Sequence, residues 1–332
     1  MTIEDIITKC IEMPGISIKR NDHCAELLLK TKDGKGSMTF FPLFPGLTLA
    51  YIFVNATSWP APHFHEDHTI KKGPLLLNYC VAGRCELTLN NGNFVYVKDG
   101  ELSLTERFAG QQYIYPRRIY EGMEFFVDID TLTAQCAWVQ TAFDIDFHKI
   151  IDQFCPGGST YISTVTPDVE EILAKLWELF DVAMPLSVAQ MKAYALALFS
   201  LLQGLHDIPP SQACTFFTAT QVDIAKRVEK IMTADLRQHH PAWELAAQFS
   251  ISETSLKNYF RGVYGQNISV YLREMRMKKA AELLVNTRLS VAQIAEQVGY
   301  MNQSKFAAVF KKQFGLSPLE YRRAKHLEIN GK

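Results

Sequence analysis

The stretch Ile294-Ala-Glu-Gln-Val-Gly-Tyr-Met-Asn-Gln-Ser-Lys-Phe-Ala-Ala-Val-Phe-Lys-Lys-Gln-Phe-Gly-Leu-Ser-Pro-Leu-Glu-Tyr-Arg322 decides how the last third of this 332-residue chain folds. Val291, Ile294, Ala295 and Val298 are spaced to line one face of a helix, and Gly299 ends it. Just before them, Ser290-Val-Ala-Gln293 has the form of a capping box. Tyr300-Met301-Asn302 is a turn whose last residue is a good N-cap. The spacing then predicts a helix over Gln303–Phe314, with Phe306, Val309, Phe310 and Phe314 inward and Gly315 as its stop. Ser317-Pro-Leu-Glu320 is a further capping box and opens a last helix to about Lys325. Residues 290–312 therefore read as a helix-turn-helix. Gln303, Ser304, Lys305, Ala307, Ala308, Lys311 and Lys312 lie on the outward side of its second helix.

The same logic occurs upstream, over 241–261. Pro241 suits a first helical position, and Trp243, Leu245, Ala246 and Phe249 share a face. Ser250-Ile251-Ser252 is the turn, with Ser252 as N-cap. The following helix is predicted over Glu253–Tyr264 with Gly265 as its stop, and its inward stripe is Leu256, Tyr259, Phe260 and Val263. Thr254, Ser255, Lys257, Asn258 and Arg261 face outward, where such side chains can reach base edges or phosphates. A long helix over 269–286 joins the motifs, made basic by Arg273, Arg276, Lys278 and Lys279.

Charge points the same way. Residues 221–325 hold 17 Lys and Arg against 9 Asp and Glu, a net of +8, whereas residues 1–220 hold 16 against 25, a net of −9. The formal total of −1 hides this division. A basic segment of this kind attracts a polyanion, and the acidic remainder opposes one. Double-stranded DNA is the predicted partner of 221–325.

The quoted run resembles the signature of the AraC/XylS family of bacterial transcription regulators, and the resemblance extends back through 269–284 and 245–265, roughly a third of the chain. It implies a seven-helix DNA-binding domain whose two recognition helices enter successive major-groove segments about one turn, ~34 Å, apart. It implies base-reading positions at Thr254, Lys257 and Asn258, and at Gln303, Ser304, Ala307 and Ala308. The two alanines can touch a thymine methyl but cannot hydrogen-bond a base, so the first motif is expected to supply most direct readout. Lys311, Lys312 and Arg322 are expected to contact phosphate or steer.

The first half of the chain has a different pattern. From about Met38 to Thr141 short β-rich runs alternate with turns: Leu47–Val54, Leu75–Val81, Cys85–Leu89, Asn93–Val97, Glu101–Glu106, Gln112–Tyr115 and Gly122–Ile129. Ala82-Gly-Arg84 and Asn90-Asn-Gly92 read as the turns between three of them. An antiparallel barrel or jelly roll fits. Given the resemblance further on, it is similar to the cupin-type effector domain of that family, here over 1–160. Two helices are predicted at 167–184 and 186–205, carrying the stripes Ile172, Leu173, Leu176, Leu179, Phe180 and Met191, Tyr194, Ala195, Leu198, Leu201, Leu202. Those stripes either pack on the barrel or pair two copies of the chain. Residues 206–220, with Pro209-Pro210, read as a linker. The expected architecture is multidomain α+β: barrel, helical linker, all-α tandem helix-turn-helix domain.

His63-Phe-His65-Glu-Asp-His68 is the one cluster with metal-ligand chemistry, and it resembles the start of a cupin metal motif. The turn Val97-Lys-Asp-Gly100 stands where a second half would begin, yet no His follows until His148. The expectation is no metal and no cofactor, with His63, His65 and His68 at the barrel mouth beside a polar or anionic ligand. Tyr113, Tyr115, Arg117, Arg118 and Tyr120 offer an aromatic and cationic face for a carboxylate. The seven cysteines are odd in number and form no C-x-x-C, which suits a reducing cytoplasm. Cys80 and Cys85 flank the predicted hairpin turn as a candidate thiol pair. Met1–Cys10 lacks a signal-peptide pattern, and no run is long enough to span a membrane. No Ser/His/Asp grouping or phosphate-binding glycine loop supports catalysis, so no catalytic residue is assigned. The expected function is an effector-responsive transcription regulator. Its partners would be double-stranded DNA, a small-molecule effector, RNA polymerase and a second copy of the chain. The alternatives are a metal- or redox-sensing regulator and a cupin-type enzyme with a DNA-binding tether.

Overall fold

The computed structural model describes residues 7–8, 13–59, 75–89, 91–106, 113–181, 186–205 and 216–330. The chain divides into two compact units, Met1–Phe216 and Phe217–Lys332. None of the described helices is long and apolar enough to cross a membrane.

The first unit is an antiparallel half-barrel backed by helices. Its strands are β1 (Ile16–Arg20), β2 (Ala25–Lys30), β3 (Lys35–Phe44), β4 (Leu47–Asn55), β5 (Ser58–Trp59), β6 (Leu75–Thr88), β7 (Phe94–Lys98), β8 (Glu101–Glu106), β9 (Tyr113–Ile114), β10 (Ile119–Val127) and β11 (Tyr161–Thr164). The main path runs β1-β2-β3-β4-β10-β6-β8-β11, while β5 and β9 pair with each other and β7 and β9 pair with β6. The central strands explain the nearly unbroken apolar runs. Leu47, Leu49 and Tyr51 on β4, with Leu75, Leu77 and Tyr79 on β6 and Phe125 and Val127 on β10, pack against helices. Ala50, Ile52 and Val54, with Leu76, Cys80 and Phe126, face a second core inside the half-barrel. Neighbouring residues point to opposite faces, and both faces are covered, so no polar alternation appears.

Four helices supply the cover. Helix α1 (Ile129–Phe143) starts at Asp128, whose carboxylate accepts from the Thr131 amide, and α2 (Phe147–Phe154) starts at Asp146, which accepts from the His148 and Lys149 amides. The sequence pattern placed strands to about Thr141; in the structure that run of strands stops at Val127, and β11 joins the sheet only after α1 and α2. Helix α3 (Pro167–Glu178) and helix α4 (Leu186–Gly204) follow. Met191, Ala195, Leu198, Phe199 and Leu202 of α4 are buried in the core shared with the sheet. The stripe considered for pairing two chains is therefore occupied within one chain. The Tyr51 hydroxyl donates to the Leu176 carbonyl, tying β4 to α3.

Ala82-Gly-Arg84 is not a turn. β6 runs through it from Leu75 to Thr88. Gly83 adopts φ 102°, and a Cβ there would lie 2.0 Å from the Ile119 carbonyl oxygen. The strand bends instead of reversing, opposite a register shift between Glu121 and Gly122 of β10. Cys80 and Cys85 consequently share one strand, facing Gly122 and Val97. Both are buried, and neither is in a disulfide. Burial, with Asp99 and Glu101 nearby, pushes the Cys80 thiol well above its ordinary range, the opposite of a reactive thiolate.

The second unit has seven helices among its described residues: α5 (Ala219–Ala234), α6 (Ala242–Ala247), α7 (Glu253–Tyr264), α8 (Ile268–Asn286), α9 (Val291–Gln297), α10 (Gln303–Phe314) and α11 (Pro318–Asn330). α5 begins with a capping box of Thr218 and Gln221, and α9 with the one expected from Ser290 and Gln293. Gly265 and Gly315 close α7 and α10 in the left-handed region at φ 74° and 75°. Phe217 precedes α5 and lies against the back of α7, where a Cβ on Gly262 would sit 1.9 Å from its ring.

Candidate nucleic-acid interface

Two short helices, α7 and α10, are each held from behind and bare in front. Behind α7 lie the buried side chains Leu256, Phe260, Val263 and Tyr264, and Phe260 packs at a tilt 4.5 Å from Tyr264 and meets Tyr271 of α8 edge-on at 5.4 Å. Behind α10 lie Phe306 and Phe310, with Phe314 and Tyr321 closing the cluster at ring distances of 4.6 and 5.4 Å from Phe310. Of the expected inward residues, Tyr259, Val309 and Phe314 are half-buried rather than buried. Each helix starts at a side-chain cap: Ser252 Oγ accepts from the Ser255 amide at 3.0 Å, and Asn302 Oδ1 accepts from the Lys305 amide at 2.9 Å. In α6–α7 the tight turn forces Ser250 to φ 54°, and in α9–α10 the corresponding bend falls on Gly299 at φ 81°.

The front of α7 presents Thr254, Lys257, Asn258 and Arg261 to solvent, with Ser255 half-buried beside the cap. Glu253 holds Lys257 by a 2.5 Å ion pair one turn along the helix. The front of α10 presents Gln303, Ser304, Lys305, Ala308, Lys311 and Lys312, with Ala307 half-buried. Lys311 and Lys312 lie in its last turn.

Several residues fall elsewhere than the sequence pattern put them. Pro241 is the N-cap of α6, not its first helical residue. Trp243 is 61% exposed instead of inward, because a six-residue helix buries only Leu245 and Ala246. Phe249 is half-buried and receives the Arg227 guanidinium over its ring at 4.9 Å. Arg322 is not a free cation for phosphate: its Nε donates to the Leu284 carbonyl at 3.0 Å and its Nη2 to the Leu289 carbonyl at 2.6 Å. Met301, passed over in the sequence as a turn residue, is 99% exposed immediately before the cap of α10.

In the first unit, His63, His65 and His68 lie outside the described residues. Among the described residues no group of three His, Cys, Asp or Glu could hold a metal ion. Tyr113, Tyr115 and Tyr120 form a stack, with centroids 6.5 and 4.9 Å apart. Tyr113 donates to Glu124 Oε2 at 3.0 Å, and Tyr120 donates to Asn78 Oδ1. Asn78 and Glu124 are register partners on β6 and β10, so they project from the same face. Asn78 is 1% exposed, and its Nδ2 has no hydrogen-bond partner among the described residues. Arg118 does not join this group: it is committed to Asp33 by a 3.2 Å ion pair. Arg117 is half-buried. The stack thus faces an acid and an amide.

Paired helix-turn-helix motifs with bare, polar second helices on a basic unit define a tandem helix-turn-helix DNA-binding domain. Comparison with known proteins agrees. Residues 245–324 match the family described as a helix-turn-helix domain. Among curated relatives, the Msm operon regulatory protein of Streptococcus mutans is 28% identical over 126 residues, 38% of this chain and 45% of that protein. The transcriptional activator RhaR of Mannheimia succiniciproducens is 34% identical over 103 residues, 30% of this chain and 37% of that protein. The virulence regulon transcriptional activator VirF of Yersinia enterocolitica is 30% identical over 100 residues, 30% and 37% of the two chains. The matched region spans less than half the length of these relatives. A solved structure, the C-terminal domain of the response regulator AraT from Geobacillus stearothermophilus, is 34% identical, covering 30% of this chain and 84% of that one, with a TM-score of 0.30. The chain carries an AraC-type helix-turn-helix domain at its C-terminal end.

Proposed function

We propose that the protein is a sequence-specific transcription regulator that reads double-stranded DNA with α7 and α10. The carrying observation is that both helices are capped, backed by aromatic clusters and bare on the polar side, within a segment of net charge +8. Thr254, Lys257, Asn258 and Arg261 make most base contacts in this reading. Gln303 and Ser304 contribute to the second segment, with Ala307 and Ala308 against apolar base edges, and Lys305, Lys311 and Lys312 neutralise phosphates. Such a protein works in the cytoplasm, and it is a regulator rather than an enzyme. The test is selection of duplexes from a random library by the full chain, followed by binding across a salt series. Enrichment of one sequence class, with affinity falling steeply as salt rises, supports the reading. Retention of no duplex above background refutes it.

The half-barrel is proposed to hold a small polar effector near Asn78 and Glu124. A buried amide donor without a partner costs about 1–3 kcal/mol, and a ligand acceptor removes that cost. A ligand acts on DNA binding only through different affinities for two states of the protein. Thermal shifts of the full chain against a panel of neutral polyols and amides, repeated with Asn78→Ala, test it. A hit that survives Asn78→Ala unchanged removes this site from consideration. A homodimer belongs to the same proposal. The outward face of α4 exposes mostly small residues, Ala189, Ala193, Ala197, Ser200 and Gly204, with Gln190 beside them, so a second helix can approach it.

A further inference from the structure

We propose that Arg276 is the positioning residue that fixes the setting of one helix-turn-helix motif against the other. It contacts no base in this proposal and acts through the backbone it holds. The inference rests on the DNA-reading face proposed above.

The observation is a meeting of three segments at one guanidinium. Arg276 is half-buried in the middle of α8, the helix that connects the motifs. Its Nε donates to the Leu236 carbonyl at 2.8 Å and its Nη2 to the Gln238 carbonyl at 2.9 Å. Those carbonyls belong to the segment between α5 and α6 that leads into the first motif. The bend of the second motif arrives at the same point. A Cβ on Gly299 would lie 2.8 Å from the Leu236 oxygen, 2.9 Å from Arg276 Nη2 and 3.0 Å from its Cζ. Gly299 is thus required twice, for its φ of 81° and for its missing side chain. The next residue, Tyr300, sets its ring edge-on to Phe306 of α10 at 5.7 Å, which carries the contact into the second reading helix.

Chemistry explains why an arginine stands here. A planar fork with several fixed donors can serve two carbonyls at once, whereas a lysine ammonium is a point charge on a flexible stem. Two carbonyls held by one cation cannot drift independently of the helix that carries it. Without the clasp, the first motif keeps its own core and the second keeps its own, but their mutual setting loosens. Two readers on a loose joint pay ordering entropy on binding and tolerate altered spacing between their targets.

The test uses the full-length protein and the duplex that the wild-type chain enriches from a random library. From it a series is made with one or two base pairs inserted or removed between the two recognised segments. Wild-type affinity is expected to fall at least about tenfold on any change of spacing. Arg276→Ala is expected to bind the selected duplex about tenfold more weakly and to lose little more when the spacing changes. Arg276→Lys should fall between them. Gly299→Ala, which crowds the same point while leaving the arginine in place, should also flatten the spacing dependence. These two variants carry the test if Arg276→Ala fails to fold, as judged by circular dichroism. A parallel loss at every spacing, or an unchanged dependence, overturns the clasp. If the wild-type chain enriches no duplex, the DNA-reading proposal falls first and takes the clasp with it.

Discussion

Lys257 and Lys312 are both exposed lysines on reading helices, yet their surroundings separate them. Lys257 stands in the first turns of α7, paired with Glu253, and Lys312 stands in the last turn of α10. Lys257→Ala is expected to weaken binding to the selected duplex by about 1–3 kcal/mol and blur preference at one base pair. Lys312→Ala should weaken all sequences alike and reduce the salt slope by about one. Competition assays on specific and random duplexes check both, and equal losses for Lys257→Ala would remove its reading role. Glu253→Gln, which releases Lys257 and deletes a negative charge from the surface, should raise affinity for random duplex. Behind the same helix, Gly262→Ala forces a methyl group into the Phe217 ring, so the second unit should melt markedly lower. Phe217→Ala in the same chain makes room for that methyl, and a failure of the pair to recover part of the loss would show that the clash is not the cause. The outward residues of α7 were legible because helical spacing sorts polar from apolar positions. The tasks of Arg276 and Arg322 were not. Both are cations on amphipathic helices, and nothing in their spacing says that a backbone carbonyl waits in front of the guanidinium.

At the scale of elements, the caps made the second unit readable. Ser252, Asn302 and Ser290 stop or start a helix through their own hydrogen bonds, and both reading helices lie where those residues predict. The half-barrel was harder. Asp128 and Asp146 are N-caps of the same kind, but Asp128 sits inside the β-rich run Gly122–Ile129, whose pattern hides the helix start. The hairpin β1–β2 went unnoticed, although Ala25, Leu27 and Leu29 alternate with less buried neighbours. Gly83 misled in the other direction, since a glycine between two β-rich runs signals a turn as readily as a bend. Helix α4 shows why a stripe alone cannot name its partner. Leu198 is buried against the sheet, so Leu198→Asp is expected to unfold the first unit, not to split a dimer. Circular dichroism together with sedimentation decides this, and a folded monomeric Leu198→Asp protein would contradict it.

On the scale of the whole molecule, charge and core divide at the same place. The first unit ends at Phe216, and the second opens with Phe217 against Gly262 and Thr218 capping α5. A fragment beginning at Phe217 is therefore expected to fold, bind DNA and lose affinity steeply with salt. A fragment beginning at Gln221, where the sequence pattern set the boundary, lacks both the ring and the cap and should melt lower. Equal melting temperatures for the two fragments would show that neither contributes. The central strands of the first unit carry one more consequence. On an ordinary sheet with one wet face, every second position accepts almost any hydrophilic replacement. In β4 and β6 the odd and even positions are each enclosed, by helices on one side and by the half-barrel core on the other. A saturation library across Leu47–Val54 or Leu75–Cys80 should accordingly show no two-residue rhythm of tolerance. It should show an unbroken intolerant block, whose members fail for two unrelated sets of neighbours.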